Sequence, residues 1–303
     1  MSRRDSLFAA LVALIWGFNF VVIDWGMGSV PPLLFAAIRF VLVAFPACLF
    51  VPRPRAPWRT VTAVGAFMSL GQFGFLYVSM HAGMPPGLAA LVLQAQVVLT
   101  IVIAAGALRE RPSVAQAGGV LLGVVGLVVV GIGRGGHVSL TALLLCLGGA
   151  LSWAIGNVIS RAARNTGGGG LSLTVWSALV VPVPLLVLSL LIDHPSGVAA
   201  GLAAFGWHAA LSTVYTTGLS SILGYGVFNT LLARNPSSAV VPWVLLAPVV
   251  AAATAWPLRG EVPNGAELAG GAFLILGVLV AQGVLRVRRG GGALAAAASE
   301  LSP

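Results

Sequence analysis

The chain of 303 residues carries very little charge. Only 8% of its residues are charged, lysine is missing altogether, and seven acidic residues stand against 16 basic ones, all of them arginine. Soluble globular domains are charged at roughly a quarter of their residues, so the composition excludes that class. Apolar residues make up 58% of the chain, and the mean hydropathy is +1.02, which indicates a protein embedded mainly in lipid.

The sequence also lacks the motifs of membrane-embedded enzymes. It has no His-x-x-Glu-His or Cys-x-x-Cys motif, no phosphate-binding loop, and no acidic pair or Ser/His/Asp set inside its apolar stretches. Intramembrane hydrolases and metalloenzymes need such groups. We therefore expect no enzyme activity, no metal site and no cofactor. Cys48 and Cys146 are expected at different depths in the membrane, so no disulfide is predicted.

The chain instead has ten apolar stretches of about 20 residues, the length that an α-helix needs to cross a hydrocarbon layer of ~30 Å. We therefore predict an all-α membrane protein with ten transmembrane helices. We number the stretches as spans 1 to 10: Leu7–Met27, Pro32–Val51, Val61–Met80, Pro86–Leu108, Val114–Ile132, Leu140–Ala162, Leu171–Ile192, Ala209–Leu232, Ala239–Pro257 and Ala266–Leu285.

The second five spans are related to the first five. Leu14-Ile15-Trp16 followed by Asn19 in span 1 resembles Leu151-Ser152-Trp153 followed by Asn157 in span 6, and Ala95-Gln96-Val97-Val98 in span 4 matches Ala247-Pro248-Val249-Val250 in span 9. Because five is odd, the second set must cross the membrane in the opposite sense, as in many secondary transporters. We predict two inverted five-helix repeats, residues 1–138 and 139–285, and a disordered cytoplasmic tail, residues 286–303.

The arginines predict the orientation of the chain. If the N-terminus is cytoplasmic, only Arg134 and Arg259 fall outside, Arg39 lies within span 2, and all the other arginines fall inside. The positive-inside rule then places both ends of the chain in the cytoplasm. The net charge of +9 is thus a topological signal and does not indicate nucleic-acid binding.

Amide and aromatic side chains within the spans outline a candidate substrate pathway. Such groups suit a zwitterionic or amphipathic solute, because they hydrogen-bond it without a fixed charge; hydrogen bonding between helices is an equally weighted alternative. Gln94 and Gln96 lie about 200° apart on a helix, so at most one of them faces a central cavity. The substrate-binding candidates are Trp16, Asn19, Gln72, Gln94, Gln96, Trp153, Asn157, Tyr225 and Asn229.

Arg39 is the only charged residue well inside a span. Buried charges are usually paired, so the favoured interpretation is a structural contact with Asp24 or with outer carbonyl groups. Binding of a substrate carboxylate and contact with a lipid headgroup are the alternatives. No acidic residue is expected near the membrane centre, which favours facilitated transport, while Asp24, Arg39 and His81 stay candidates for proton coupling.

Two prolines mark a candidate gate in span 9. Pro242 and Pro248 each free a backbone carbonyl group and permit bending of the helix. A plain kink without a gating role is the simpler alternative. With Arg39, Asp24 and His81, these prolines complete the set of gate or ion-pair candidates.

Three motifs carry a resemblance to a known family: Trp16-Gly17-Phe18-Asn19-Phe20, Ile38-Arg39-Phe40 and Arg109-Glu110-Arg111-Pro112. They resemble recurring motifs of the drug/metabolite transporter (DMT) superfamily, EamA type. The stretch from Gly83 to Gln96 is similar to bacterial exporters of cysteine and O-acetylserine, and aromatic amino-acid exporters are nearby relatives. The resemblance implies ten helices in two inverted repeats, a bacterial inner-membrane location and export of amino acids or related metabolites. Gln96 departs from the family pattern, since many members have a proline there.

We therefore expect an inner-membrane exporter of amino acids or related small metabolites, working by alternating access, facilitative and broad in specificity. The alternatives are a multidrug or lipophilic-cation exporter, which the lack of a buried acid disfavours, and a non-transporting lipid-handling membrane protein. The expected partners are a small-molecule substrate and the lipid bilayer, without nucleic acid. The oligomeric state is left open, with a monomer as one option.

Overall fold

The computed structural model describes residues 1–45, 47–133, 138–164, 171–235 and 237–284, and the regular structure in these ranges is entirely helical. In the first half of the chain the helices are α1 Arg3–Met27, α2 Pro32–Ala44, α3 Ala47–Phe50, α4 Trp58–Val64, α5 Gln72–His81, α6 Pro86–Val92, α7 Ala95–Ala107 and α8 Val114–Gly133. In the second half they are α9 Leu140–Arg164, α10 Leu171–Ala178, α11 Pro182–Ile192, α12 His194–Ala203, α13 Trp207–Val214, α14 Tyr225–Arg234, α15 Ser237–Val244, α16 Ala247–Arg259 and α17 Gly265–Ala281. The predicted tail at 286–303 lies outside the described residues.

The helices have the length and apolar composition of membrane spans. In the described ranges, seven helical stretches, matching spans 1 to 7, are long and apolar enough to cross a membrane, and a bent pair matching span 8 would make eight. Span 9 is divided into α15 and α16, and α17 of span 10 has 17 residues. The all-helical architecture of the described residues is thus confirmed and is consistent with a membrane protein, while the number ten and the repeat layout stay predictions.

Spans 3 and 8 each contain a π-helical segment that the sequence did not predict. The first π segment, Gly65–Gly71, lies between α4 and α5, and the second, Tyr215–Gly224, lies between α13 and α14. A π-helix widens the turn so that each N–H bonds five residues back, and it is found frequently at functional sites. Both segments occur at the middle of the third span of their half.

Spans 4 and 9, predicted as continuous helices, are both interrupted. Span 4 breaks at Leu93 and Gln94 between α6 and α7, and span 9 breaks at Leu245 and Leu246 between α15 and α16. At the second break Pro248 lies in the first turn of α16, where its missing N–H costs nothing. The first break contains no proline. There backbone hydrogen bonds that reach three residues back, such as Gln94 N–H to Leu91 O at 3.0 Å, replace the α-helical bonds that reach four residues back.

The short helix α12 precedes span 8 and was not predicted. It is bent by 87° from the helix that begins at Trp207, which starts two residues before the predicted boundary at Ala209. If span 8 crosses the bilayer, α12 therefore lies along the membrane surface. Gly201 of α12 packs closely against Pro31, just before α2, which fastens this helix to the first half of the chain.

The first helix of each half packs against the third and fourth spans of the other half. Helix α1 contacts α13, the second π segment and α16, while α9 contacts the first π segment, α5 and α7. Helices α8 and α17 form a separate close pair. Several candidate site residues, Trp16, Asn19, Gln96 and Asn157, lie on the helices that make these cross-half contacts.

Candidate functional site

The two π segments offer backbone carbonyl groups to the opposite half of the chain. Trp16 Nε1 of α1 donates to Ser220 O of the second π segment at 3.0 Å. Ser152 Oγ of α9 donates to Phe67 O of the first π segment at 2.8 Å. These carbonyl groups are accessible because the wide π turn displaces them from regular helical bonding. The π segments thus position both halves around the middle of the molecule.

Arg39 lies at the centre of a buried polar cluster formed by Arg39, Phe73, Tyr77 and Ser221, which we call the Arg39 cluster. Arg39 Nη1 donates to the Tyr77 hydroxyl oxygen and Nη2 donates to Ser221 Oγ, both at 3.1 Å. The guanidinium carbon lies 4.4 Å from the centre of the Phe73 ring. Arg39 is only 2% exposed, so this charge is held by hydroxyl groups and aromatic rings rather than by water.

The predicted contact between Arg39 and Asp24 is wrong. Asp24 forms its ion pair with Arg259 of α16, and Arg39 has no ion pair with any residue that the structure describes. The physical reason is that Arg39 points across the bundle to Ser221 of the second half, instead of along its own helix toward the outer end. Arg39 Nε is buried without a hydrogen-bond partner.

Trp16 and Tyr225, two substrate-binding candidates, lie together next to the Arg39 cluster. Their ring centres are 5.0 Å apart, and the ring centre of Phe228 is 5.2 Å from that of Trp16. Trp16 donates to Ser220 O, and the next residue, Ser221, is a partner of Arg39. Residues 220–221 of the second π segment therefore link these rings to the Arg39 cluster.

Two amide candidates near these rings have unsatisfied polar atoms. Asn19 Oδ1 on α1 and Asn229 Nδ2 on α14 are buried, and neither has a hydrogen-bond partner among the described residues. Asn19 is 6% exposed. Buried polar atoms are nearly always hydrogen-bonded, so each exception requires an explanation such as a bound ligand or water.

A second polar contact joins the candidates Gln96 and Asn157. Asn157 Nδ2 of α9 donates to Gln96 Oε1 of α7 at 2.8 Å, with Thr100 Oγ1 at 3.4 Å. Gln94, two residues before Gln96, is half-buried and makes no side-chain hydrogen bond within the described residues. That at most one of the two glutamines faces a central cavity stays a prediction, since both side chains are half-buried.

The remaining predicted residues take no part in the Arg39 cluster or in the contact between Gln96 and Asn157. Gln72 is buried at the start of α5, and Trp153 is half-buried on α9. His81 is exposed at the end of α5. Pro242 lies inside α15, whereas Pro248 begins α16, so the two prolines lie on either side of the break in span 9.

Phe73 and Tyr77 of the Arg39 cluster were missed as site residues. They are four residues apart on α5 and therefore lie on one face of that helix. Arg39 contacts this face. The available signal was weak, because only the scarcity of tyrosine, three in the chain, distinguishes Tyr77 from an ordinary aromatic core residue. Their contact with Arg39 depends on how α2 and α5 pack.

Ion pairs and a capped helix connect the two halves at both ends of the molecule. At one end, besides the Asp24–Arg259 pair, the Glu261 carboxylate accepts from the backbone N–H groups of Gly87 at 2.9 Å and Leu88 at 3.0 Å. Burial raises the pKa of Glu261, and these two hydrogen bonds partly oppose that rise. At the other end Arg161 pairs with Glu110 at 3.1 Å in a more exposed contact.

The side chains of the candidate site are of the kinds that bind an organic solute. In the described ranges no group of three or more His, Cys, Asp or Glu side chains is placed to hold a metal ion. The groups around Arg39 and Trp16 are a guanidinium, hydroxyls and aromatic rings, and the Asn19 amide lies one helical turn from Trp16. Such a set can bind a polar solute by hydrogen bonds and ring contacts.

Comparison with known proteins gives a consistent result along the whole chain. Residues 5–132 and 140–282 each match the EamA-like transporter family. The chain is 40% identical over 293 residues to a "Probable amino-acid metabolite efflux pump" of Salmonella typhimurium, covering 95% of this chain and 98% of that one. It is 38% identical, with the same coverage, to a protein of the same name from Escherichia coli.

More distant matches extend the comparison. A "Probable terminal-alkyne amino-acid exporter" of Streptantibioticus cattleyicolor is 27% identical, covering 89% of this chain and 90% of that one. A solved crystal structure superposes with a TM-score of 0.65 at 20% identity, covering 96% of this chain and 100% of that one, so it shares the fold. The two family matches account for nearly all the described residues, and the chain therefore belongs to the EamA-like transporter family.

Proposed function

We propose that this protein is an inner-membrane exporter that moves amino acids or related small metabolites out of the cytoplasm. The observation that carries the proposal is the 40% identity, over almost the full length of both chains, to a protein named as a probable amino-acid metabolite efflux pump. A polar and aromatic site at the contact between the two halves supports it, since transporters commonly bind substrate near the midplane between their repeats.

The proposed architecture is ten transmembrane helices in two inverted five-helix repeats. It is supported by features that recur at matching positions: a π segment in spans 3 and 8, and a break in spans 4 and 9. The breaks at Leu93–Gln94 and Leu245–Leu246 follow the same offset as the sequence match between Ala95 and Ala247. The distribution of arginines supports cytoplasmic N- and C-termini.

The proposed mechanism is alternating access with facilitative transport and broad specificity. In this mechanism one half rocks against the other around a fixed site. The site is proposed to include Trp16, Asn19, Asn157 and Tyr225, with the other amide and aromatic candidates at its margins. Rings and amides bind through shape and hydrogen bonds, which fits a range of neutral amino acids. A proton-coupled transporter commonly has a buried acidic side chain that carries the proton. Within the described spans, no acidic side chain pairs with Arg39.

Export of lipophilic cations is disfavoured by the same site. The charge next to this site is the Arg39 guanidinium, which would repel a cation at close range in a medium of low dielectric constant. A lipid-handling protein without a transport pathway would tolerate leucine at Asn157 or Asn229. These alternatives therefore make opposite predictions for substrate charge and for the amide variants.

The test is uptake of labelled amino acids by the purified full-length protein in lipid vesicles, with and without an imposed pH gradient. Saturable uptake of neutral amino acids without the gradient is the expected result. Uptake that requires the gradient would overturn facilitative transport and direct attention to Asp24, Arg39 and His81. No uptake of any amino acid, together with uptake of a lipophilic cation, would overturn the proposed function.

A further inference from the structure

Among the described residues, Arg39 is a buried cation without a counter-ion. Asp24 and Glu110 pair with arginines, Glu261 accepts from two backbone N–H groups, and Glu267 caps the start of α17. The two other acidic residues in the described ranges are also engaged, Asp5 with Asn235 and Asp193 with Ser189. None of them reaches Arg39, which is the most buried charge in these ranges.

An unpaired charge at this depth is costly. Arginine does not lose its proton in proteins, and an intramembrane charge is normally paired or placed in a functional pathway. The neutral hydroxyls of Tyr77 and Ser221 and the Phe73 ring stabilise the guanidinium only in part. A group that brings a negative charge to Arg39 would therefore bind with a large electrostatic gain.

The remaining donors of Arg39 have the geometry for a carboxylate. Guanidinium has five N–H donors in a planar fork, and paired donors bind both oxygens of a carboxylate. Tyr77 and Ser221 take one donor each, while Nε is buried and unused. Ser221 belongs to the second half of the chain, so separation of the halves would release a donor on Nη2 next to the free Nε–H.

Asn19 supplies a second unpaired group close to the same place. Its Oδ1 is buried without a partner, and it lies one helical turn from Trp16, which donates to Ser220 O. Ser220 directly precedes Ser221, the partner of Arg39. Residues 220–221 of the second π segment thus contact Trp16, which lies one helical turn from the free acceptor, and Arg39, which carries the free donor.

We propose that Arg39 binds the carboxylate of the transported solute in place of Ser221, and that Asn19 Oδ1 accepts from its ammonium group. The proposal rests on the proposed function and adds its chemical selection rule: the solute must carry an α-carboxylate. In the conformation described here Arg39 is closed off, so the carboxylate enters only when the second π segment moves away from α2.

The test compares amino acids with their decarboxylated counterparts in the same vesicles. Labelled L-cysteine and L-phenylalanine are measured against cysteamine and 2-phenylethylamine, in vesicles of neutral lipid. The wild-type protein is expected to prefer the amino acid by about tenfold or more in kcat/KM, since a hydrogen bond to a charged group contributes about that factor. Equal transport of the amines would overturn the carboxylate site while leaving the proposed function intact.

Variants separate the carboxylate site from a structural role. Arg39→Gln is expected to remove the preference for the amino acid, while Tyr77→Phe, which keeps the charge, retains the preference even if the overall rate falls. If Arg39→Gln lowers the transport of acids and amines by the same factor, Arg39 is structural and the proposal fails. If Arg39→Gln does not fold, the wild-type comparison still decides.

A lipid headgroup is the other source of an anion at Arg39. Vesicles with added anionic lipid distinguish the two sources. The proposed site predicts the same preference for amino acids in neutral and anionic vesicles. A preference that disappears in neutral lipid, or that anionic lipid inhibits competitively, would assign the anion to the bilayer and overturn the proposal.

Discussion

At the residue scale, the buried polar groups of this protein bond mainly across the boundary between its two halves. Arg39 bonds to Ser221, Trp16 to Ser220 and Asn157 to Gln96. In a membrane the hydrophobic effect does not hold helices together, so such hydrogen bonds and close packing determine which helices associate. The same polar residues therefore hold the helices together and, in the proposed function, also bind the substrate.

The contact between Gln96 and Asn157 allows a direct measurement of one such bond. We expect the substitutions Gln96→Met and Asn157→Leu to show a coupling of about 0.6 kcal/mol in a double-mutant cycle, which is the usual size of hydrogen bonds between membrane helices. The measurement is the free energy of unfolding in detergent or bicelles.

The neighbouring Gln94 gives the matched control for this cycle. Gln94→Met removes the same kind of side chain two residues earlier in span 4, but Gln94 makes no bond to Asn157 in the described structure. Coupling between Gln94→Met and Asn157→Leu as large as that of the Gln96 pair would contradict the assignment.

At the element scale, the contacts between the two halves occur largely where helices are interrupted. The π segments and the breaks in spans 4 and 9 occur where the first helix of the opposite half packs, and they turn backbone groups toward it. Helices α8 and α17 show the reverse case, because they are continuous and approach through glycine. Gly126 faces Gly270, and Gly119 faces Gly277.

Replacement of Gly126 by alanine should separate α8 from α17. A Cβ at this position would lie 2.5 Å from Gly270 O and 2.7 Å from Leu274 N, and both are backbone atoms that cannot turn away. We expect Gly126→Ala to destabilise the protein by about 1–3 kcal/mol, the usual cost of overpacking. The midpoint of thermal unfolding in detergent measures this cost.

Gly118 on the same helix is the control, because a Cβ there meets nothing within 4 Å. Gly118→Ala should be neutral or stabilise α8 by up to about 1 kcal/mol through helix propensity. A loss of stability at Gly118 equal to that at Gly126 would show that glycine flexibility, and not the contact between the helices, is what matters.

At the scale of the whole molecule, the two ends are joined unequally. One end has the Asp24–Arg259 pair, in which Asp24 is 16% and Arg259 40% exposed, together with the partly buried contact of Glu261 to α6. The other end has the Arg161–Glu110 pair, whose side chains are 57% and 43% exposed. Exposed ion pairs contribute little because water screens them. The conformation described here is therefore closed more firmly at the Asp24 end.

A charge exchange tests this asymmetry. We expect Asp24→Asn to lower the unfolding midpoint by about 2 °C, since about 1 kcal/mol shifts a protein of a few hundred residues by that order. The double substitution Asp24→Arg with Arg259→Asp should restore much of the loss. Glu110→Gln, at the exposed end, should leave the midpoint nearly unchanged, and an equal effect of Glu110→Gln and Asp24→Asn would refute the asymmetry.

The sequence by itself determined that the chain lies mainly in lipid, that its regular structure is helical and roughly where the spans lie. Apolar runs of membrane-spanning length permit only helices that satisfy their own backbone groups. The family resemblance at Ile38-Arg39-Phe40 and Gly83 to Gln96 agreed with the matches found along the whole chain. Composition and local motifs were enough because these properties depend on residues that are close together in the chain.

Only the tertiary structure decided the partners of the polar residues. Asp24 pairs with Arg259 rather than Arg39, Gln96 rather than Gln94 contacts Asn157, and Arg39 reaches Tyr77 and Ser221. The π segments and the break at Gln94 also followed no proline or charge in the sequence. These features depend on which helices lie side by side, and contacts between residues as far apart as Arg39 and Ser221 are set by packing, which helical periodicity does not encode.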